Sequence, residues 1–195
     1  MRRVRLILWA IIALTLVAVA FVSLRPMSAP PAQMAMSGFG GPFTLTGADG
    51  KPFGSAKLNG KPYALCFGFT HCPDVCPTTL ARLVRLRQQL GGGDHAFEIV
   101  FVSVDPERDT PEEVGKYTGL FNSPVIGLTG SPAQVAQVKK QFGIFSQKVP
   151  TTGGDYTVNH TSTVLLFDRD GQFAGTIATD ELDPPALAKL KRFTA

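Results

Sequence analysis

The chain has 195 residues, 44% of them hydrophobic and 17% charged, with 19 Lys and Arg against 15 Asp and Glu. That length holds one domain of about 150 residues plus a short extra segment, and it requires no second domain. The net charge of +4 does not point to nucleic acid, because Arg2, Arg3, Arg5 and Arg25 account for the whole excess and residues 26–195 carry 15 charges of each sign.

Those four arginines bracket LILWAIIALTLVAVAFVSL, residues 6–24, a 19-residue stretch without a charge. As a helix it would rise about 28 Å at roughly 1.5 Å per residue, enough to span a bilayer. A cleaved signal peptide is the competing reading, since Ala18-Val19-Ala20 has the small-x-small form. The apolar run nevertheless continues past that point through Phe21, Val22 and Leu24, which favours a retained anchor over residues 1–25. Three arginines precede the segment and one follows it, so the expected topology is single-pass in the bacterial inner membrane, N-terminus cytoplasmic and the rest periplasmic. Cysteines there meet an oxidising compartment. Residues 26–41 are small, Pro-rich and uncharged, and read as a flexible linker. The linker holds Met27, Met34 and Met36; thioethers are soft ligands for Cu(I), but in an Ala/Pro segment they read as composition.

The third segment, 42–195, alternates strands and helices. FTLTGADGKPF predicts a hairpin turning at Asp49-Gly50, and Asn59-Gly60-Lys61-Pro62 leads into an apolar strand from Tyr63 to Phe69. Thr78 to Leu90 predicts a helix whose broad apolar face carries Leu80, Leu83, Val84, Leu86 and Leu90, with Arg87 inside that face and expected to reach out past its neighbours. Gly91-Gly92-Gly93 ends it, and FEIVFVSVD, 97–105, is apolar enough for a central strand. A helix from Pro111 to about Phe121, a strand at 125–128 and a helix from Pro132 to about Phe142 follow. TSTVLLFD and QFAGTI predict a hairpin around Arg169-Asp170-Gly171, and Pro184 to Phe193 a last helix with Lys189, Lys191 and Arg192 near its C-terminus.

The chemistry concentrates in CFGFTHCPDVCP, residues 66–77. Cys72 and Cys76 lie between an apolar strand and a helix, and Pro77 suits a first helical turn, so both sulfurs are expected near a helix N-terminus. Unpaired N–H groups and the helix dipole favour a thiolate there, which is both a nucleophile and a soft metal ligand. The CxxxC spacing lets two sulfurs straddle a metal and still permits a disulfide. A strand, a cysteine pair, a helix and further βα units make a thioredoxin-like arrangement.

FGFTHCPDVCPTTL, SVDPERDTPE and VNHTSTVLLFDRDG together resemble, in order and spacing, the Sco/SenC family, membrane-anchored thioredoxin-fold proteins that deliver copper to cytochrome c oxidase. The resemblance runs from about residue 39 to the end. It implies that Cys72 and Cys76 supply thiolates to copper, as Cu(I) or Cu(II), and that His160 supplies an imidazole nitrogen. The implied partners are cytochrome c oxidase subunit II, other copper chaperones and thioredoxin-like reductants. Two departures stand out: Asn159 sits where an acidic residue is common, and Cys66 is an additional thiol, read here as core. Two thiolates and one imidazole suit three-coordinate Cu(I), and an added oxygen donor suits Cu(II). His71 and His95 are not counted as ligands. Asp74, Asp105 and Asp109, the last two favoured by the resemblance, are candidates for a partner-docking surface at the C-terminal end of the sheet. The alternative function is thiol-disulfide exchange, with Cys72 and Cys76 as the redox pair.

Overall fold

A computed structural model describes Trp9 and residues 39–194. The expected anchor, Trp9 apart, and the expected linker up to residue 38 lie outside the described residues. Among the described residues no helix is long and apolar enough to cross a membrane.

The chain runs β1 (Thr44–Gly47), β2 (Pro52–Gly54), β3 (Tyr63–Gly68), α1 (Val75–Gln89), β4 (Glu98–Ser103), α2 (Pro111–Gly119), β5 (Ile126–Thr129), α3 (Pro132–Gln141), β6 (Ser146–Pro150), β7 (Tyr156–His160), β8 (Val164–Phe167), β9 (Phe173–Ile177) and α4 (Asp183–Thr194). Seven strands form one sheet in the order β2-β1-β5-β4-β3-β8-β9. The centre is parallel: β3 pairs with β4 from Tyr63↔Glu98 to Gly68↔Ser103, and β4 pairs with β5. The flanks are antiparallel, β1 against β5 and β8 against β3. Every residue of β3 is buried, as is β4 beyond Glu98, because the crossover helices α1 and α2 cover one face, with Cys76 against Gly68 and Tyr117 against Phe101, while Phe142 at the end of α3 packs on Phe67 on the other. This is the expected thioredoxin-like α/β fold.

Local signals explain the helix starts. Thr110 accepts a hydrogen bond from Glu113 N–H at 3.3 Å ahead of Pro111, and Ser131 and Gln134 form a reciprocal capping box ahead of Pro132. On α1, Leu80, Leu83, Val84 and Leu86 are buried as expected. Arg87 is not at the surface: it is fully buried, with Nη1 donating to the Phe97 carbonyl at 3.1 Å and Nη2 to the Pro124 carbonyl and Ser123 Oγ at 2.8 and 2.6 Å. Burial pushes its pKa down and Asp94, 3.2 Å away, opposes that shift. Two backbone carbonyls and one hydroxyl thus supply acceptors to the buried guanidinium.

Two features depart from the sequence reading. Phe39 to Gly41, expected as linker, join the folded unit: Phe39 meets the edges of Phe142 and Phe173, and Gly40 N–H donates to Gln141 O at 2.9 Å. The second is β6 and β7, which the sequence reading left without strands. They pair antiparallel from Ser146↔His160 to Pro150↔Tyr156 and form a two-stranded sheet separate from the main one. Gly153 and Gly154, with φ of +120° and +87°, turn the chain between them.

Candidate metal site

The site sits at the C-terminal end of β3, where the chain turns into α1. Phe69 is buried, and Cys72 N–H donates back to Phe69 O at 3.1 Å, closing the turn that carries the first sulfur. Helix α1 starts at Val75, three residues earlier than expected, so Cys76 and Pro77 both lie in its first turn. The N-cap residue Asp74 makes no side-chain cap. Instead the Cys72 sulfur accepts the Cys76 amide at 3.5 Å, taking over one of the N–H groups a helix start leaves unpaired.

Cys76 is 5% exposed, and its sulfur lies against the strand because residue 68 is glycine: a Cβ there would stand 2.7 Å from Cys76 Sγ and 2.8 Å from the Phe101 ring. Burial pushes the Cys76 thiol pKa up, the hydrogen bond to Cys72 adds to the rise, and a hydrogen bond to the Phe69 backbone works against it. Burial therefore overrides the thiolate preference expected from the helix N-terminus as long as no cation is present. A metal that displaces the proton reverses that balance, so binding releases a proton.

His160, at the end of β7, brings its Nε2 to 3.4 Å from Cys76 Sγ. Its Nδ1 lies 2.9 Å from the Thr161 carbonyl, which can only accept. The proton therefore belongs on Nδ1, leaving the Nε2 lone pair facing the sulfur. Phe69 packs edge-on against the imidazole, ring centres 5.8 Å apart. One atom from each of Cys72, Cys76 and His160 lies within 4.8 Å of the others. Folding thus brings together the three residues singled out as ligands, across the 84 positions that separate Cys76 from His160.

The other expectations fare differently. His71 is turned to Thr70 Oγ1, 3.0 Å from its Nδ1, and stands outside the three-residue group. Cys66 is buried in β3, and burial pushes its thiol up to about 12. Asp74 is exposed, as a docking role would require. Asp105 and Asp109 are not: both are fully buried, so neither presents a carboxylate to a partner. Asp109 accepts hydrogen bonds from Thr70 N–H at 3.0 Å, Thr70 Oγ1 at 2.6 Å and Ser103 Oγ at 2.6 Å. Asp105 accepts from Arg108 Nε at 2.6 Å and the Tyr156 hydroxyl at 2.8 Å. Buried carboxylates persist only with such partners, and the sequence showed the acids without showing that these partners would enclose them.

Thr70, Arg108 and Tyr156 were missed by the sequence reading. Tyr156 had a usable signal: SQKVP and YTVNH are two short runs separated by five residues containing Gly-Gly, a hairpin pattern. Thr70 and Arg108 had none, since nothing local distinguishes a half-buried, paired arginine in DPERD from a solvated one.

The SCO1/SenC family profile matches residues 31–195. The chain is 38% identical over 155 residues to a Saccharomyces cerevisiae protein named "Protein SCO2, mitochondrial", covering 78% of this chain and 52% of that one, so it spans about half the length of that curated relative. Among solved structures it is similar to Bradyrhizobium japonicum ScoI with copper bound, at 42% identity and a TM-score of 0.71, covering 80% of this chain and 99% of that one. It is likewise similar to Arabidopsis thaliana ScoI with copper bound, at 34% identity and a TM-score of 0.72, with the same coverage.

Proposed function

The chain belongs to the SCO1/SenC family, and from that premise we propose that it is a copper metallochaperone holding one ion on the sulfurs of Cys72 and Cys76 and on Nε2 of His160. The observation that carries this reading is the convergence of two soft sulfurs and a bare imidazole nitrogen within 4.8 Å. That donor set suits copper better than a hard cation, and three donors satisfy Cu(I) while leaving room for an incoming ligand. Transfer then proceeds by ligand exchange: an acceptor sulfur joins the ion as one of the three donors leaves, without any change in oxidation state. The acceptor is the dinuclear copper site of cytochrome c oxidase subunit II. Residues 6–24 tether the protein in the inner membrane with the folded domain in the periplasm. A reporter fused after Ala195 is then active only outside the cytoplasm, and alkaline washing leaves the protein in the membrane fraction.

A thiol-disulfide activity also has a specific observation behind it, the proximity of two free thiols of unequal exposure. Cys72, the more exposed, would attack a partner disulfide as the thiolate and release one partner thiolate; Cys76 would then attack the mixed disulfide and release the second. Two electrons pass to the partner, and a Cys72–Cys76 disulfide remains.

His160 separates the two readings. Titrating the reduced full-length protein with Cu(I) against a competing chelator is expected to give one tightly held equivalent, and His160→Ala to lower the affinity about 10–100-fold. Disulfide chemistry needs the sulfurs alone, so His160→Ala is expected to form the Cys72–Cys76 disulfide and reduce a model disulfide within about tenfold of the parent rate. If His160→Ala holds copper as the parent does but fails in oxidase assembly through a redox defect, the histidine serves the thiols and the oxidoreductase reading replaces this one.

A further inference from the structure

The hairpin that delivers His160 is not part of the main sheet: β6 and β7 pair only with one another among the described residues. No strand ladder holds β7 itself against the main sheet, which His160 rejoins only through β8, four residues on at Val164. Side chains seat the hairpin: Val158 and Phe69 by packing, and the connection between β4 and α2 by polar contacts. Asp105 Oδ1 receives the Tyr156 hydroxyl at 2.8 Å, and Asp105 Oδ2 receives Arg108 Nε at 2.6 Å. Arg108 Nη1 donates to the Tyr156 carbonyl at 2.8 Å and to Asp155 Oδ1 at 3.1 Å. The guanidinium lies 3.7 Å from the centre of the Tyr156 ring and 5.8 Å from that of Phe69. Lys148 of β6 covers Tyr156 at 4.5 Å and pairs with Glu107 of the same connection at 2.5 Å. Four residues after Asp105, Asp109 grips both the amide and the hydroxyl of Thr70, two residues before Cys72.

We propose that the Asp105–Asp109 connection acts as a caliper for the metal site, with Asp105 and Arg108 as positioning residues that seat the His160 hairpin through Tyr156 while Asp109 holds the turn bearing Cys72. One short segment thereby grips both sides of the site, and it does so with buried carboxylates. A hydroxyl-to-carboxylate bond and a stacked guanidinium tolerate little displacement, whereas a hairpin packed by apolar contacts alone could slide. Metal-to-ligand distances tolerate about 0.2 Å, so a small shift of β7 costs affinity. This inference rests on the reading that His160 is a copper ligand.

Tyr156→Phe tests it, because the variant loses the bond to Asp105 and keeps the ring under Arg108. Arg108→Gln is the harsher companion, and Lys189→Met, which removes a pair with Glu181 on α4, controls for ordinary destabilisation. Copper affinity by chelator competition and the Cu(II) charge-transfer spectrum are read for each, in the parent and in a His160→Ala background. Tyr156→Phe is expected to weaken copper about tenfold and shift the spectrum in the parent, and to change neither in His160→Ala. Lys189→Met is expected to leave both unchanged. Equal affinity of parent and Tyr156→Phe, an equal loss in the His160→Ala background, or a matching loss in Lys189→Met overturns the caliper. If parent and His160→Ala already bind alike, the copper reading itself has failed, and that result is seen before any Tyr156 variant is compared.

Discussion

Gly68→Ala places a methyl group where the structure has no room for one. Its Cβ would stand 2.7 Å from Cys76 Sγ, 2.8 Å from Phe101 Cε2 and 3.4 Å from Cys76 Cβ. Comfortable contacts lie near 3.5–4.0 Å, so the sulfur and the ring must each retreat by about 1 Å. Overpacking on that scale costs about 1–3 kcal/mol, or roughly 3–10 °C in Tm for a domain of this size. A metal site feels the same shift more strongly, since about 0.2 Å is already significant for a metal–ligand distance. We expect copper affinity to fall at least about tenfold, beyond what the stability loss explains. Gly127→Ala is the matched control: its Cβ would stand 2.6 Å from Val114 Cγ1 and 3.0 Å from Thr118 Cγ2, between β5 and α2 and not against Cys72, Cys76 or His160. Scanning calorimetry and chelator competition on both variants give the comparison. If both weaken copper alike, or if Gly68→Ala loses stability and keeps its affinity, glycine at 68 is not what places the Cys76 sulfur.

Two further outcomes follow from buried groups. Burial holds the Cys66 thiol and the Tyr63 phenol up at about 12, against 9.0 and 10.0 for the free groups, with Asp168 adding to the Tyr63 shift. The fold favours the neutral form of each, so the stability they contribute is complete below pH 9 and is lost between there and pH 12 as the unfolded chain ionises; the buried Cys76 thiol acts in the same direction. Circular dichroism of the reduced, copper-free protein should show alkaline unfolding in that window, with the onset moved upward in Cys66→Ala; an unmoved onset would show that Cys66 is not the titrating group. Arg87→Met should cost about 1–3 kcal/mol in urea unfolding, because the Phe97 and Pro124 carbonyls lose their donor, and it should leave copper binding intact. A wild-type urea midpoint would mean that the guanidinium contributes no net stability.

What the sequence disclosed divides along the range of the forces involved. The apolar runs 63–69 and 97–105, the helix faces and the turn at Asp49-Gly50 follow from periodicity and local turn chemistry, and each lies where expected within a few residues. The two cysteines are legible for the same reason, since both belong to one strand-to-helix turn. His160 was singled out through resemblance; no local signal ties it to residues 84 positions earlier. The β6–β7 hairpin went unread because its short, mixed-polarity strands have little alternation, although the Gly-Gly turn between them was a usable signal. Asp105, Asp109 and Arg87 were read as surface groups because charge is visible in a sequence and its enclosure is not. Each is buried only because tertiary structure supplies partners from distant segments.

The separation of His160 from the two cysteines also bears on when the three-residue group is complete. Cys72 and Cys76 lie within one strand-to-helix turn, so bringing their sulfurs together closes only a short loop. His160 arrives only once the sheet has closed and the hairpin has docked, a long-range step that loop-closure entropy makes late. On the proposed copper reading, a chain with the hairpin undocked would offer two sulfurs, and the completed fold all three donors. Copper bound only to the finished state also stabilises it in proportion to the logarithm of its concentration over Kd. On the proposed copper reading, the ion would favour the completed fold, because the third donor lies 84 positions beyond Cys76.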